Sequence, residues 1–496
     1  MHLLDLDSGE KSLAISRQIP RYGQTVMSPT GKFICYFKDQ DWWNYDIERN
    51  KHTCLTANAK ATFSNASYDG AETAVAYPFG GWSAGDKQVI LYDEFDIWLF
   101  AADGRSHRRI TDGKNIQTRY RVYDDGLVSN SVGNVGGFSS KTIDMNQAVM
   151  ITSENQHNLK QGISLWSRGK GLSRLVEAHR KIYSLQKIKH RNALTYFECS
   201  FDSPPALKMI EEGGKPEIIV QSNAQQSDFR WGRSELIYYE SDGKSLKGAL
   251  FYPAGYVEGK KYPLIVNIYE KLSHTLHDYV PPSGKSANGF SKTDLTQQGF
   301  FVLCPDIAYT INEAGPSALR SVTAAVKKAI SGKQIDSARM GIMGHSFGGY
   351  ETTYIIANSS LFKAAVAGAP VTDLKSFYLS VNNENRPNLQ LVESNQLRLK
   401  KPFHGPELKM NSPIENIANV KTPLLLWTSD SDQVVPPAQS MEFHLGLWRL
   451  GKTSTMLVYP KEDHSLLDEE NQEDLSKRVT DWFSHYLMDA VKPDWM

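Results

Sequence analysis

Up to about residue 230 the chain is written in short β-type runs, apolar and polar residues alternating over a few positions before a turn signal breaks the pattern. SPTGKFICYFKDQDWWNYDIERNKHTCLT (Ser28–Thr56) predicts turn, strand, turn, strand, turn, strand. SAGDKQVILYDEFDIWLFAADGRSHRRIT (Ser83–Thr111) repeats that order, and overlaying the two sets Trp98 on Trp43 and Thr111 on Thr56. Turns fall at Gly31, Gly85 and Gly104, and weaker copies follow around Trp166 and through IYSLQKIKH, ALTYFECS and ALKMIEE. Repeats of a small sheet with an aromatic in mid-strand are the signature of β-propeller blades; a β-sandwich, which also uses short strands and regular turns, is the alternative that the repeat disfavours. About four blades are present, the lower limit for closing a ring, so residues 1–230 are expected to form a small or partial propeller. The opening LLDLDSGEKSLA predicts the last strand of a blade whose earlier strands are missing.

Near Trp231 the rhythm changes. SELIYYES and SLKGALFYP predict a hairpin across Asp242-Gly243, after which near-continuous apolar strands alternate with helical patterns. The strands are YPLIVNIY, GFFVLCPD, RMGIMG, FKAAVAGAP, TPLLLWTSD and STMLVYP. The helices are SALRSVTAAVKKAIS, GYETTYIIANS, PAQSMEFHLGLWRLG and EDLSKRVTDWFSHYL. Strands apolar on both faces and separated by amphipathic helices predict a doubly wound, mostly parallel sheet over residues 231–496. Active sites in such sheets lie at the carboxyl ends of the strands.

At one of those ends stands GIMGHSFGGYETTY (Gly341–Tyr354), in which Gly344 and Gly348 box Ser346 in a G-x-S-x-G pattern. A tight strand-to-helix turn holds such a serine in a strained backbone and puts the Phe347 N–H at a helix N-terminus, where it can donate to an oxyanion. A serine hydroxyl needs a histidine base and an acid to orient it. Both follow in order: SDSDQVVPPAQS offers Asp430 and Asp432 after one strand, and YPKEDHSLLD offers His464 after the next; the competing reading, which position and order disfavour, is a surface-loop histidine with Asp463 a solvated loop acid. Spacing alone leaves Asp430 and Asp432 open.

Composition narrows the reading by exclusion. Lys plus Arg number 55 and Asp plus Glu 55, and no basic block is interleaved with aromatics, so nucleic acid is not an expected partner. No run of about 18 apolar residues predicts a membrane span. The start MHLLDLDSGEK carries charges where a signal peptide needs an apolar core, so the chain reads as cytoplasmic as written, or exported if a longer N-terminus carried a signal and the first blades. Cys35, Cys54, Cys199 and Cys304 are scattered, without metal or disulfide spacing. His274 and His277 lack the acidic partner of a helical metal motif, and no metal or other cofactor is expected. Oligomeric state, monomer or homo-oligomer, is not written in the pattern.

The run GHSFGGYETTYIIANSSLFKAAVAGAPVTD, with DQVVPPAQS and EDHS, resembles the prolyl oligopeptidase family of serine peptidases, which includes dipeptidyl peptidase IV and acylaminoacyl peptidase. The resemblance implies a propeller followed by an α/β-hydrolase domain, and hydrolysis of oligopeptides through an acyl-enzyme. Position by position, it implies Ser346 as nucleophile, Asp432 as acid with Asp430 second, His464 as base, and the Tyr269 hydroxyl as partner of the Phe347 amide in the oxyanion hole. Val371, Leu374, Phe377 and Val435, with Phe347, lie near the segments that would form an apolar, proline-accepting pocket. Departures accompany the likeness. YEKL (Tyr269–Leu272) stands where the family commonly has Y-G-G-P, Val434 where a carbonyl-gripping arginine or asparagine is frequent, and no acidic pair for a free N-terminus is evident. A carboxylic ester hydrolase on the same residues, and an inactive remnant serving as a binding module, are the competing readings.

Overall fold

The structure is a computed structural model, and it describes every residue except 19–22, 124–141, 333, 383, 384, 401, 402 and 404. The chain divides into two compact units. One comprises Met1–Tyr68, Thr73–Cys199 and Pro205–Ser222; the other comprises Asp69–Glu72, Ser200–Pro204 and Asn223–Met496. The sequence expectation was a single boundary after residue 230.

Among the described residues of the first unit, an N-terminal hairpin is followed by four mainly antiparallel sheets, in which most strands are hydrogen-bonded to their neighbours in the chain. The first runs Thr25–Met27, Phe33–Lys38, Asp41–Asp46 and Lys51–Cys54. In the second, Gly81–Ser83, Gln88–Tyr92, Ile97–Ala101 and His107–Arg109 are joined by Thr142–Ile143, which pairs parallel to Gly81–Ser83. The third and fourth extend from Thr118–Val122 to Gly171–Ala178 and from Lys181–Lys187 to Glu217–Gln221.

The repeat seen in the sequence has a physical cause. Thr56 accepts the Trp42 N–H at 3.0 Å and donates to Asp41 at 2.6 Å. Thr111, the residue overlaid on it, accepts the Ile97 N–H at 3.0 Å and donates to Asp96 at 2.7 Å. Each threonine closes the end of its sheet in the same way, satisfying a buried N–H where the ladder stops. Between the first two sheets Phe37 and Trp42 pack with Trp82, Leu91 and Phe100. The chain opens on a two-stranded hairpin, His2–Leu4 paired with Lys11–Leu13, rather than on the lone strand expected. Asp5 makes the turn by accepting the N–H groups of Asp7 and Ser8, with Gly9 at φ +72°.

In the second unit eight strands form one sheet in the order Ser234–Ser241, Lys244–Phe251, Phe301–Pro305, Tyr262–Ile268, Ile335–His345, Ala364–Gly368, Leu424–Ser429 and Ser454–Tyr459. The first two form the predicted hairpin, with Asp242 and Gly243 both at positive φ. From Phe301–Pro305 onward all neighbours are parallel. The central strands are apolar along most of their length because helices cover both faces: Leu424, Leu425, Leu426 and Trp427 are all essentially sealed from water, each contributing about 2 kcal/mol by burial. Helices Ala314–Ile330, Phe347–Asn358, Ala438–Arg449 and Glu469–Met488 provide that cover. Among the described residues no helix is long and apolar enough to cross a membrane.

Candidate active site

Ser346 sits between strand Ile335–His345 and helix Phe347–Asn358 with φ +59° and ψ −120°, a backbone that an L-residue adopts only under constraint. The glycines beside it are required by close approach. A Cβ on Gly344 would lie 2.3 Å from the Gly348 carbonyl oxygen, and one on Gly348 would lie 2.2 Å from that of Ile268. The turn is locked by the Ser346 N–H, which donates to Gly368 O at 2.8 Å. Phe347 opens the helix, so its N–H has no partner four residues back and points out of the first turn.

Two later strand ends bring up the partners. His464 Nε2 lies 2.8 Å from Ser346 Oγ, and His464 Nδ1 lies 2.8 Å from Asp432 Oδ2. Asp432 is fully buried, and its other oxygen accepts the N–H groups of Val434 at 2.8 Å and Val435 at 2.9 Å. With Oδ1 committed to two backbone donors, Oδ2 is left facing the imidazole, which favours a proton on Nδ1 and a lone pair on Nε2 toward the serine. Asp430 turns elsewhere: its Oδ1 accepts the Lys461 N–H at 2.7 Å and the Ser431 hydroxyl at 2.8 Å, pinning one loop to the next. Those hydrogen bonds hold its carboxyl below the ordinary value.

The histidine loop is anchored from three sides. Asp463 accepts the backbone N–H of His464 at 2.7 Å and of Gln433 at 2.9 Å, clasping the acid loop to the histidine loop rather than projecting as a solvated acid. Ser429 donates to the Asp463 carbonyl at 2.8 Å. Below, the His345 ring stacks on Trp427 with centroids 5.0 Å apart, and its Nε2 meets the His464 carbonyl at 2.7 Å. Burial, then the neighbouring His464, pushes His345 down to about 4, so it stays neutral and donates from Nε2. Only the G-x-S-x-G pattern marked this position, and only as an unspecified residue.

Tyr269 follows strand Tyr262–Ile268 directly and shares with Ser346 and His464 the wall of a cavity of about 520 Å³. Burial raises its phenol above the ordinary value, keeping the proton on the oxygen. Gln396 Nε2 donates to that oxygen at 2.6 Å, a partner for which the sequence carried no signal. Leu272, Val280 and Phe290 supply apolar wall to the cavity, and Asp278 and Lys292 supply charge.

Val371, Leu374, Phe377 and Val435, the residues expected near an apolar pocket, lie among core residues. All four are buried in the main hydrophobic core, together with the Phe347 ring, and none of them lines this cavity. Apolar residues in these segments face inward to seal the sheet ends. His274 and His277 fall in the short helical turn Ser273–His277, and among the described residues no group of His, Cys, Asp and Glu is arranged to hold a metal ion.

Residues 311–490 match the model of the prolyl oligopeptidase family. Over 265 residues the chain is 27% identical to a Bacillus subtilis (strain 168) protein described as "Uncharacterized peptidase YuxL", a match covering 51% of this chain and 39% of that one. Over 311 residues it is 24% identical to the acylamino-acid-releasing enzyme of Homo sapiens, covering 57% and 41% respectively. The chain thus spans about two fifths of the length of these curated relatives. Among solved structures, Pyrococcus horikoshii acylaminoacyl peptidase matches with a TM-score of 0.62 at 17% identity, over 99% of this chain and 74% of that one. A putative dipeptidyl aminopeptidase IV from Bacteroides ovatus ATCC 8483 matches with a TM-score of 0.69 at 16% identity, over 98% and 69%. These likenesses identify the fold as an α/β-hydrolase domain preceded by an all-β, propeller-type unit.

Proposed function

Since the chain carries a domain of the prolyl oligopeptidase family, we propose that it is a serine peptidase that hydrolyses oligopeptides through an acyl-enzyme. One observation carries the reading: the unbroken line from buried Asp432 through His464 to Ser346, two contacts of 2.8 Å each, ending on a serine held at a helix N-terminus. Ser346 Oγ attacks the scissile carbonyl while His464 Nε2 takes its proton. The oxyanion that forms is met by the Phe347 N–H and the Tyr269 hydroxyl. Collapse of the tetrahedral adduct breaks the C–N bond, and His464 returns the proton to the leaving amine. Water then repeats the sequence on the acyl-enzyme and frees Ser346. Asp432 holds the imidazole in the reactive tautomer and stabilises the imidazolium. No step calls for a metal or an organic cofactor.

The names of the relatives, acylamino-acid-releasing enzymes among them, suggest including N-acylated substrates in the first assay. Peptide anilides with free and acetylated N-termini, tested beside p-nitrophenyl esters, separate the two hydrolase readings. Turnover of anilides that is lost in Ser346→Ala supports the peptidase. Turnover of esters alone assigns the same residues to an ester hydrolase and overturns the peptide reading.

A further inference from the structure

The family resemblance leaves open how Tyr269 is held, because Glu270 and Lys271 replace the usual glycines after it. The answer lies around Arg398, in a segment with no element assigned from sequence. Its side chain is only 7% exposed yet carries a full charge, which is tolerated because the charge is thoroughly paired. Nη2 donates to Glu270 Oε1 at 2.7 Å and to Asp69 Oδ1 at 3.0 Å, and Nε donates to the Asp69 carbonyl at 3.2 Å. Nη1 donates to the backbone carbonyl of Gln396. The guanidinium plane covers the Tyr309 ring at 4.1 Å from its centroid. Arg398 itself has φ +53°, a conformation costing about 1 kcal/mol or more that persists only where surroundings over-determine it.

Two of these partners hold the tyrosine, one through its backbone and one through its hydroxyl. Glu270 is the residue after Tyr269, and Gln396 is the donor to its hydroxyl at 2.6 Å. A phenol oxygen that accepts from an amide keeps its own proton for a different direction. Fixing the Gln396 peptide and Glu270 together therefore fixes both where the Tyr269 oxygen lies and which way its proton can point.

We propose that Arg398 is a positioning residue for catalysis: by gripping the Gln396 carbonyl and the Glu270 carboxylate it orients the Tyr269 hydroxyl as an oxyanion donor. This rests on the serine-hydrolase reading of Ser346 and adds to it a residue that touches no reacting atom. The guanidinium is needed for its fork, since a lysine ammonium cannot span the carbonyl and two carboxylates in fixed geometry.

The test is a double-mutant cycle on anilide or ester hydrolysis. Tyr269→Phe is expected to lower kcat about 100-fold, the effect of losing one oxyanion donor. Arg398→Gln should lower kcat about 10-fold or more with KM changed by less than about threefold, as for an interaction made in the transition state. In the Tyr269→Phe background, Arg398→Gln should cost less than about threefold further, because its route of action is already gone. Equal losses in both backgrounds, or no loss in either, overturn the proposal. Glu270→Gln, which weakens the grip of Arg398 beside Tyr269 while leaving Gln396 in place, carries the same expectation and stands in if Arg398→Gln does not fold. Ser346→Ala separates the two levels. Activity retained there refutes the serine-hydrolase reading, whereas activity abolished there beside an additive cycle refutes the role of Arg398 alone.

Discussion

Replacing Asp432 by asparagine keeps shape and removes charge, and the consequence follows from how its two oxygens are used. Oδ1 accepts from Val434 and Val435, so in the variant the amide oxygen is drawn to those two N–H groups and the NH2 is left facing His464 Nδ1. An amide that donates to Nδ1 forces the imidazole proton onto Nε2. That proton then points at Ser346 Oγ, where a lone pair is needed. The base is lost while the packing stays, and the expected fall in kcat is about 10⁴-fold, or roughly 5 kcal/mol of transition-state stabilisation. Hydrolysis of a peptide anilide near pH 7.5, measured together with the thermal midpoint to confirm folding, provides the assay. Asp430→Asn is the paired control. Asp430 meets Lys461 and Ser431 rather than the imidazole, so its kcat should stay within about threefold, as for a surface change. Asp432→Asn retaining more than about a tenth of wild-type kcat, or Asp430→Asn proving the crippled variant, would refute the tautomer reasoning.

Two further outcomes follow from the same domain. Glu351 on the serine helix is fully buried with Oε1 taking the Tyr309 hydroxyl, and burial pushes its carboxyl up to about 8. The folded state therefore keeps a proton that the unfolded chain releases near 4.5, and stability present at low pH is lost as pH rises through about 8. Glu351→Gln does not titrate, so between pH 5 and 8 its stability should improve by roughly 3 kcal/mol relative to wild type, read as a gap in thermal midpoints that widens by several degrees; an unchanged gap contradicts this. Gly348→Ala brings a methyl within 2.2 Å of the Ile268 carbonyl oxygen, a backbone clash costing about 2 kcal/mol or more. It should lower both the thermal midpoint and kcat, because Ile268 leads directly into Tyr269; a variant with wild-type values for both would show that the turn is not held as described.

Much of the second unit is legible because its strands are apolar on both faces and its helices are not, a contrast that single residues do not blur. The strand ends carrying Ser346, Asp432 and His464 could be read in order for that reason. The reading was least specific where one residue type serves two environments. Val371, Leu374, Phe377 and Val435 are apolar whether they line a pocket or seal a core, and here they seal the core. Helix Ala314–Ile330 starts three residues before the pattern suggested, since Gly315 and Pro316 look like breakers but lie in the first turn, where a missing N–H costs nothing. Gln396 and Arg398 belong to a stretch of short helices and turns whose order comes from paired charge rather than periodic burial. Nothing in the run of residues announces that Arg398 will meet Glu270 and Asp69, which lie 128 and 329 positions away.

The central claim is that Ser346 is a nucleophile activated by His464. Its most direct test is covalent: incubate the protein with a fluorophosphonate and locate the adduct by peptide mass spectrometry. The account predicts a single stoichiometric adduct on Ser346 that disappears in Ser346→Ala and forms at least about 100-fold more slowly in His464→Ala. A folded protein that takes no label, or takes it on another residue at the same rate in Ser346→Ala, would contradict it.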